Sequence, residues 1–221
     1  LSVIYDQYPA YRLKHMDIPG VIDGKYRINI KDKIGEGRFS QIYLSHDKSD
    51  EAQLRPLAVK VICLPRHKRK LGQKHLPDLM PTALSHPNVG KILYSSILIA
   101  KHDGEDYSLP VLVMEVYPAS LNKYICTKRP SLDQRLQMLQ QLYSVVNYIH
   151  SLHIVHYDLK PENIMVTTAG KLILIDFGLA RRIAKANTKF QHKSGTPPWM
   201  APELFRGEGH DFSADCFALA H

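Results

Sequence analysis

Polar and apolar positions follow two different rhythms along this chain. From Tyr26 to Tyr117 they alternate or run in short apolar blocks. "YRINIKDKI" reads as a strand, "GEGRFS" as a Gly-rich turn, "QIYLSH" as a returning strand and "PLAVKVICL" as a third strand. "KILYSSILIAK" and "LPVLVMEVY" flank the polar stretch "HDGEDYS" and predict a hairpin. Beyond Pro118 the period lengthens. In "SLDQRLQMLQQLYSVVNYIH", Leu132, Leu136, Leu139, Leu142, Val146 and Ile149 recur every three to four residues and predict an amphipathic helix with that stripe in the core. Ser131 and Asp133 supply its cap and its first-turn negative charge. "NIMVTTAGKLILIDFG" predicts a second hairpin, turning at Thr168 to Gly170. Residues 1–25 are punctuated by Tyr, Pro and Gly and read as an N-terminal extension. The pattern therefore predicts an α+β protein with a β-rich lobe at 26–117 and a mainly helical lobe at 118–221.

Composition narrows the class. The 221 residues, with 44% hydrophobic and 23% charged, are ordinary for a globular protein with a sizeable core. A formal charge of +8 and a pI near 9.3 favour anionic partners such as nucleotides, acidic substrates, nucleic acid or an anionic membrane. Cys63, Cys126 and Cys216 are widely spaced and odd in number. They predict neither a disulfide framework nor a paired-cysteine metal site, and so a reducing, cytoplasmic or nuclear location. No apolar run approaches the roughly 18 residues of a membrane span. "LSVIYDQYPAYRLK" lacks the layout of a signal peptide, and without an initial Met it reads as trimmed.

The candidate chemistry lies in four short stretches. Gly35 and Gly37 of "IGEGRFS" (Ile34 to Ser40) lie between two strands, where backbone N–H groups approach phosphates with no Cβ in the way. Lys60 of "LAVK" follows on the third strand, within reach of phosphate oxygens. In "HYDLKPEN" (His156 to Asn163), Asp158 can accept a proton from an attacking hydroxyl, Lys160 can neutralise a transferring phosphoryl group, and Asn163 offers an amide oxygen to a hard cation. "IDFG" ends a strand with Asp176, a second hard oxygen ligand. Taken singly, each stretch is an ordinary turn or strand end. Their order along one chain is not.

With "GEGRFS", "AVK", "HYDLKPEN", "DFG" and "APE" in sequence, the chain resembles a eukaryotic protein kinase from about Tyr26 to its last residue. "DLKPEN" and "SGTPPWMAPE" are similar to the serine/threonine branch. The resemblance implies the protein-kinase-like two-lobed fold, ATP and Mg²⁺ as cofactors, and protein Ser or Thr hydroxyls as substrates. It implies that Lys60 holds the α- and β-phosphates, that Asp158 is the base, and that Lys160 steadies the γ-phosphate. Asn163 and Asp176 would bind Mg²⁺, and Thr196 would contact Asp158 and Lys160. Met114 matches the gatekeeper. Glu115 and Tyr117 would meet the adenine edge through backbone atoms, and Ile34, Ile42, Ala58 and Met165 would wall the ring. Asp215 matches the acid that braces the catalytic loop, and His156 the histidine that packs on Phe177.

Four departures qualify the resemblance. Tyr157 stands where the family usually has an Arg that pairs with a phosphate, which predicts activity independent of such a phosphate, with Thr188 and Ser194 as exposed hydroxyls. The glutamate that should pair with Lys60 is missing: its position falls on Pro77, no Glu occurs between Lys60 and Glu105, and only Asp78 is nearby. Pro77 and Pro81 would also interrupt a helix there. Ser40 replaces the third glycine of the Gly-rich loop. The chain stops soon after Asp215, so the C-lobe reads as incomplete, "CFALA" would lose packing partners and Glu203 would lack its arginine. The missing glutamate and the early stop favour a rival reading as a pseudokinase, a nucleotide-binding or scaffolding module. A nucleic-acid module built on "RHKRK" (Arg66 to Lys70) and a zinc site at His150, His153 and His156 are weaker rivals, since solvated loop and helix-end readings suffice for both.

Overall fold

The computed structural model describes residues 13, 16–37, 39–48, 56–63, 77–102, 104–183, 195–209 and 211–221. The chain divides into two compact units, one of Leu1–His75 with Lys91–Val116 and the other of Leu76–Gly90 with Tyr117–His221.

The first unit is a six-stranded antiparallel sheet. Its strands are β1 (Val21–Ile22), β2 (Tyr26–Gly37), β3 (Ser40–Asp47), β4 (Pro56–Ile62), β5 (Ile92–His102) and β6 (Glu105–Glu115), in the order β1-β2-β3-β4-β6-β5. Alternation sets which side chains enter the core. Tyr107, Leu109, Val111 and Val113 of β6 are buried together, while Asp106 and Ser108, on either side of Tyr107, are exposed. That same alternation makes the polar stretch "EDYS" part of β6, so the β5–β6 turn is shorter than the sequence suggests. The Gly-rich stretch also differs from expectation. β2 continues to Gly37 and β3 resumes at Ser40, so both glycines pair within the ladder, Gly35 with Ile42 and Gly37 with Ser40.

The described part of the N-terminal extension belongs to this unit. The Asp17 N–H donates to the Lys101 carbonyl on edge strand β5 at 3.0 Å, and β1 then pairs with β2 at the opposite edge. Ile18 lies between these two anchors. Leu13, Met16, Ile18 and Ile22 are buried in one cluster with Val59, Val61, Leu98 and Val111. The described part of the extension thus forms a strap whose apolar side chains pack with those of the sheet. Each fully buried aliphatic side chain contributes about 1.5–3 kcal/mol.

The second unit is mainly helical. It contains α1 (Leu121–Lys128), α2 (Leu132–Ser151), α3 (Pro202–Arg206) and α4 (Ser213–Leu219), with short ladders β7 (Ala119–Ser120), β9 (Ile164–Val166) and β10 (Leu172–Leu174), and β8 (Ile154–Val155) with β11 (Arg181–Arg182). A capping box starts α2: the Gln134 N–H donates to Ser131 Oγ, and the Ser131 N–H donates to Gln134 Oε1. Its core stripe needs correction. Met138, Leu142, Val145, Val146 and Ile149 are buried, whereas Leu132, Leu136 and Leu139 are exposed. The 3.6-residue period assigns these leucines to one face, but only the second half of α2 packs against β9, β10 and Phe177. Pro77–Ala83 forms a 3₁₀ helix with Pro81 inside it, in keeping with the loss of α-helical bonding at proline. In "CFALA", Phe217, Ala218 and Leu219 are half-buried against the unit's apolar clusters, more than the sequence predicts. Glu203 accepts a hydrogen bond from Ser213 Oγ at 3.1 Å.

Candidate active site

The "HYDLKPEN" loop is held at both ends by backbone pairing. Val155, before it, pairs with Arg181, and Ile164, after it, pairs with Leu174. Pro161 opens the 3₁₀ turn Pro161–Asn163, where its fixed φ is already suitable. The Asn163 carbonyl accepts from the Ile175 N–H at 2.9 Å, which ties this turn to the strand leading to Asp176.

Within this frame three donors meet the Asp158 carboxylate. Thr196 Oγ donates to Oδ1 at 2.7 Å, and Asn163 Nδ2 donates to Oδ2 at 2.8 Å. Lys160 Nζ lies 2.9 Å from Oδ2 and also donates to Thr196 Oγ at 2.6 Å. Thr196 therefore relays between the ammonium and the carboxylate. Asn163 Nδ2 donates as well to the Asp158 carbonyl at 2.8 Å, which fixes the amide and directs its oxygen away from Asp158. A carboxylate has about four acceptor positions. Three donors occupy this one, which leaves Oδ1 able to take one more proton donor.

Asp215 of α4 holds the loop from beneath. It is 1% exposed. Its Oδ2 accepts from the His156 N–H at 2.8 Å, its Oδ1 from the Tyr157 N–H at 2.9 Å, and His150 Nε2 lies 2.9 Å from Oδ2. The His156 ring stands edge-on to Phe177 with centroids 4.8 Å apart. Its Nε2 is 3.1 Å from the Ile175 carbonyl, and its Nδ1 accepts from the Asp158 N–H at 3.3 Å. A proton on Nε2 satisfies both contacts. His150 and His156 are thus engaged with the loop brace, while the exposed His153 accepts the Ile183 N–H through its carbonyl at 2.7 Å.

The residues suggested for the nucleotide fall mostly on the first unit. Lys60 is buried on β4, opposite Ile42 on β3 and Leu112 on β6. Ala58, also buried, pairs with Leu44 and with Met114, and Glu115 ends β6 opposite Leu57. Ser40 is buried, Ile42 and Met114 are half-buried, and Ile34 is 51% exposed. On the second unit, Tyr117 and Met165 are half-buried, and Met165 pairs with Ile173 and Ser120. Thr188, Ser194 and Arg66 to Lys70 lie outside the described residues, as does the side chain of Asp78.

Asn163 and Asp176 carry oxygen atoms of the kind a Mg²⁺ ion takes. Asp176 is exposed two residues past β10 with φ 60°, and its Oδ1 accepts from the Gly178 N–H at 3.3 Å. One carboxylate and one amide oxygen form a hard, oxygen-only donor set. Sequence reasoning missed Asn88, a buried residue whose Nδ2 donates to the Leu172 carbonyl at 2.7 Å and to Gln141 Oε1 at 2.9 Å. No short-range pattern in the sequence marks this pairing.

Comparison with known proteins agrees with this architecture. The protein kinase domain family matches residues 28–221. Over 202 residues the chain is 31% identical to myosin light chain kinase family member 4 of Mus musculus, covering 90% of this chain and 49% of that protein. It is 30% identical over 190 residues to serine/threonine-protein kinase Sgk1 of Danio rerio, covering 84% and 42%. It is 31% identical over 196 residues to mitogen-activated protein kinase kinase kinase ANP1 of Arabidopsis thaliana, covering 84% and 28%. The chain spans less than half the length of these relatives. Among the described residues no helix is long and apolar enough to cross a membrane. A β-rich unit, a mainly helical unit and a family match over residues 28–221 together mean that this chain belongs to the protein kinase domain family, among relatives that are serine/threonine kinases.

Proposed function

We propose that this chain catalyses ATP-dependent transfer of the γ-phosphate to serine or threonine hydroxyls of proteins. The observation that carries the reading is the Asp158 carboxylate, which holds Lys160, Thr196 and Asn163 and keeps one acceptor position for a substrate hydroxyl. Asp158 takes the hydroxyl proton as the oxygen attacks. Lys160, fixed by two contacts, offsets negative charge on the transferring group. Asn163 and Asp176 would hold Mg²⁺, which supplies charge neutralisation at the phosphates. Lys60 would take the α- and β-phosphates, while Ile34, Gly35, Gly37, Ser40, Ile42, Ala58, Met114, Glu115, Tyr117 and Met165 would receive the nucleotide.

The test is phosphate transfer from Mg·ATP to a generic Ser/Thr substrate, with Asp158→Asn beside the natural sequence. Loss of general-base catalysis predicts a kcat lower by about 10²–10⁴-fold, with nucleotide affinity retained. One observation favours a second reading as a pseudokinase: no Glu occurs between Lys60 and Glu105, and Pro77–Ala83 is a 3₁₀ helix. That reading predicts no transfer, but Mg-dependent nucleotide binding that Asp176→Ala weakens.

A further inference from the structure

Tyr157 lies beside the base yet takes no part in the Asp158 hydrogen-bond set. Its φ of 64° puts it in the left-handed region, an outlier for a bulky residue that persists only where the surroundings enforce it. One enforcing contact is the Asp215 carboxylate, which takes both the His156 and the Tyr157 N–H. The other is the ring. Tyr157 is 5% exposed in a cluster with Val155, Ile183, Ala201, Leu204 and Ala214. Ile183 precedes residues 184–194 and Ala201 follows them, so the cluster gathers chain from either side of that stretch.

The Tyr157 carbonyl lies against the same returning chain. At Gly195, with φ 124°, a Cβ would come within 3.0 Å of the Tyr157 carbonyl oxygen and 2.9 Å of Met200 Cγ, so only glycine fits. The next residue is Thr196, whose hydroxyl donates to Asp158. Burial, reinforced by the charges of Asp215 and Asp211, pushes the Tyr157 hydroxyl far above its ordinary pKa and keeps the side chain neutral.

We propose that Tyr157 is a positioning residue: its buried ring fastens the returning segment against the catalytic loop and so holds the Thr196 hydroxyl on Asp158 by apolar packing. The proposal rests on the kinase reading for its kinetic consequence, but not for its structural one. It identifies what stands in for a charged contact to a phosphate, beyond the expectation that none is needed.

The experiment compares Tyr157→Ala, Tyr157→Phe and Tyr157→Leu with the natural sequence in the full chain. It reads kcat at saturating substrate, Mg·ADP affinity by calorimetry, thermal unfolding, and amide hydrogen exchange over residues 195–204. Tyr157→Ala is expected to lower kcat by roughly tenfold or more, equivalent to about 1.4 kcal/mol of transition-state stabilisation. Mg·ADP affinity stays unchanged and exchange at 195–204 accelerates. Tyr157→Phe restores most of both losses. If the alanine variant does not fold, Tyr157→Leu, apolar but without the ring, is expected to give the same pattern at smaller size. Unchanged kcat and exchange in the Ala or Leu variant would overturn the proposal, as would a Phe variant as impaired as Ala. Should the natural sequence transfer no phosphate, the kinase reading fails by itself. Exchange at 195–204 then decides the proposal alone: faster in Ala and restored in Phe supports it, and unchanged in Ala overturns it.

Discussion

The loop around Asp158 and the hairpin around Gly35 and Gly37 carry the same kind of short motif, yet they are built in opposite ways. Around Asp158 the side chains of Lys160, Thr196 and Asn163 are joined to one carboxylate, and the loop is pinned by Asp215 and flanked by paired strands. The hairpin stands at the exposed end of β2, where the β2–β3 ladder shifts register twice between Ile28 and Gly35. On the function proposed above, the difference follows from the task. A base must meet one hydroxyl at one angle, so its geometry is fixed in advance at the cost of many ordered groups. A backbone cradle meets a ligand that brings its own shape, so access and a bulged, twisted edge suffice.

Breaking the pinned side is expected to cost most. Asp215→Ala leaves the His156 and Tyr157 N–H groups buried without their acceptor, at about 1–3 kcal/mol each. Chemical denaturation should show a loss of roughly 2–6 kcal/mol, a large share of a typical domain's 5–15 kcal/mol. An unchanged midpoint would mean that the brace is not structural. Thr196→Val comes next. It removes the relay between Lys160 and Asp158 but keeps the side-chain volume, so kcat should fall by about tenfold with little change in unfolding temperature. The smallest effect belongs to the open side. A Cβ at Gly37 meets Ser40 Oγ at 3.2 Å, a side-chain end able to move, so Gly37→Ala should fold normally. It should raise the KM for Mg·ATP a fewfold with kcat nearly unchanged, and a kcat loss as large as that of Thr196→Val would erase the contrast between the two regions.

Local features were legible in the sequence wherever the chain acts on itself over a few residues. Strands β2 to β6 of the first unit, the Ser131 cap of α2 and the β9–β10 hairpin follow from alternation, capping chemistry and turn residues. The order of motifs likewise pointed to the protein kinase family with no help from the fold. What stayed hidden depends on distant chain. Periodicity put Leu132, Leu136 and Leu139 on the same stripe as Leu142, but a period names a face and not what covers it. Neither the burial of Tyr157 nor the grip of Asn88 on Leu172, 84 residues away, has a local signal. The strap was read as an extension because its apolar residues, Leu13, Met16, Ile18 and Ile22, are too sparse to form a pattern.

That strap has a practical consequence for anyone choosing where to cut the gene. The family match begins at residue 28, beyond all four of those side chains. A polypeptide started there would keep every motif and yet uncover the sheet's apolar face, with edge strand β5 losing its only backbone bond to Asp17 among the described residues. Such a shortened protein is expected to aggregate on expression. Its silence in an assay would then reflect where the gene was cut, and the chemistry of Asp158 would still be untried.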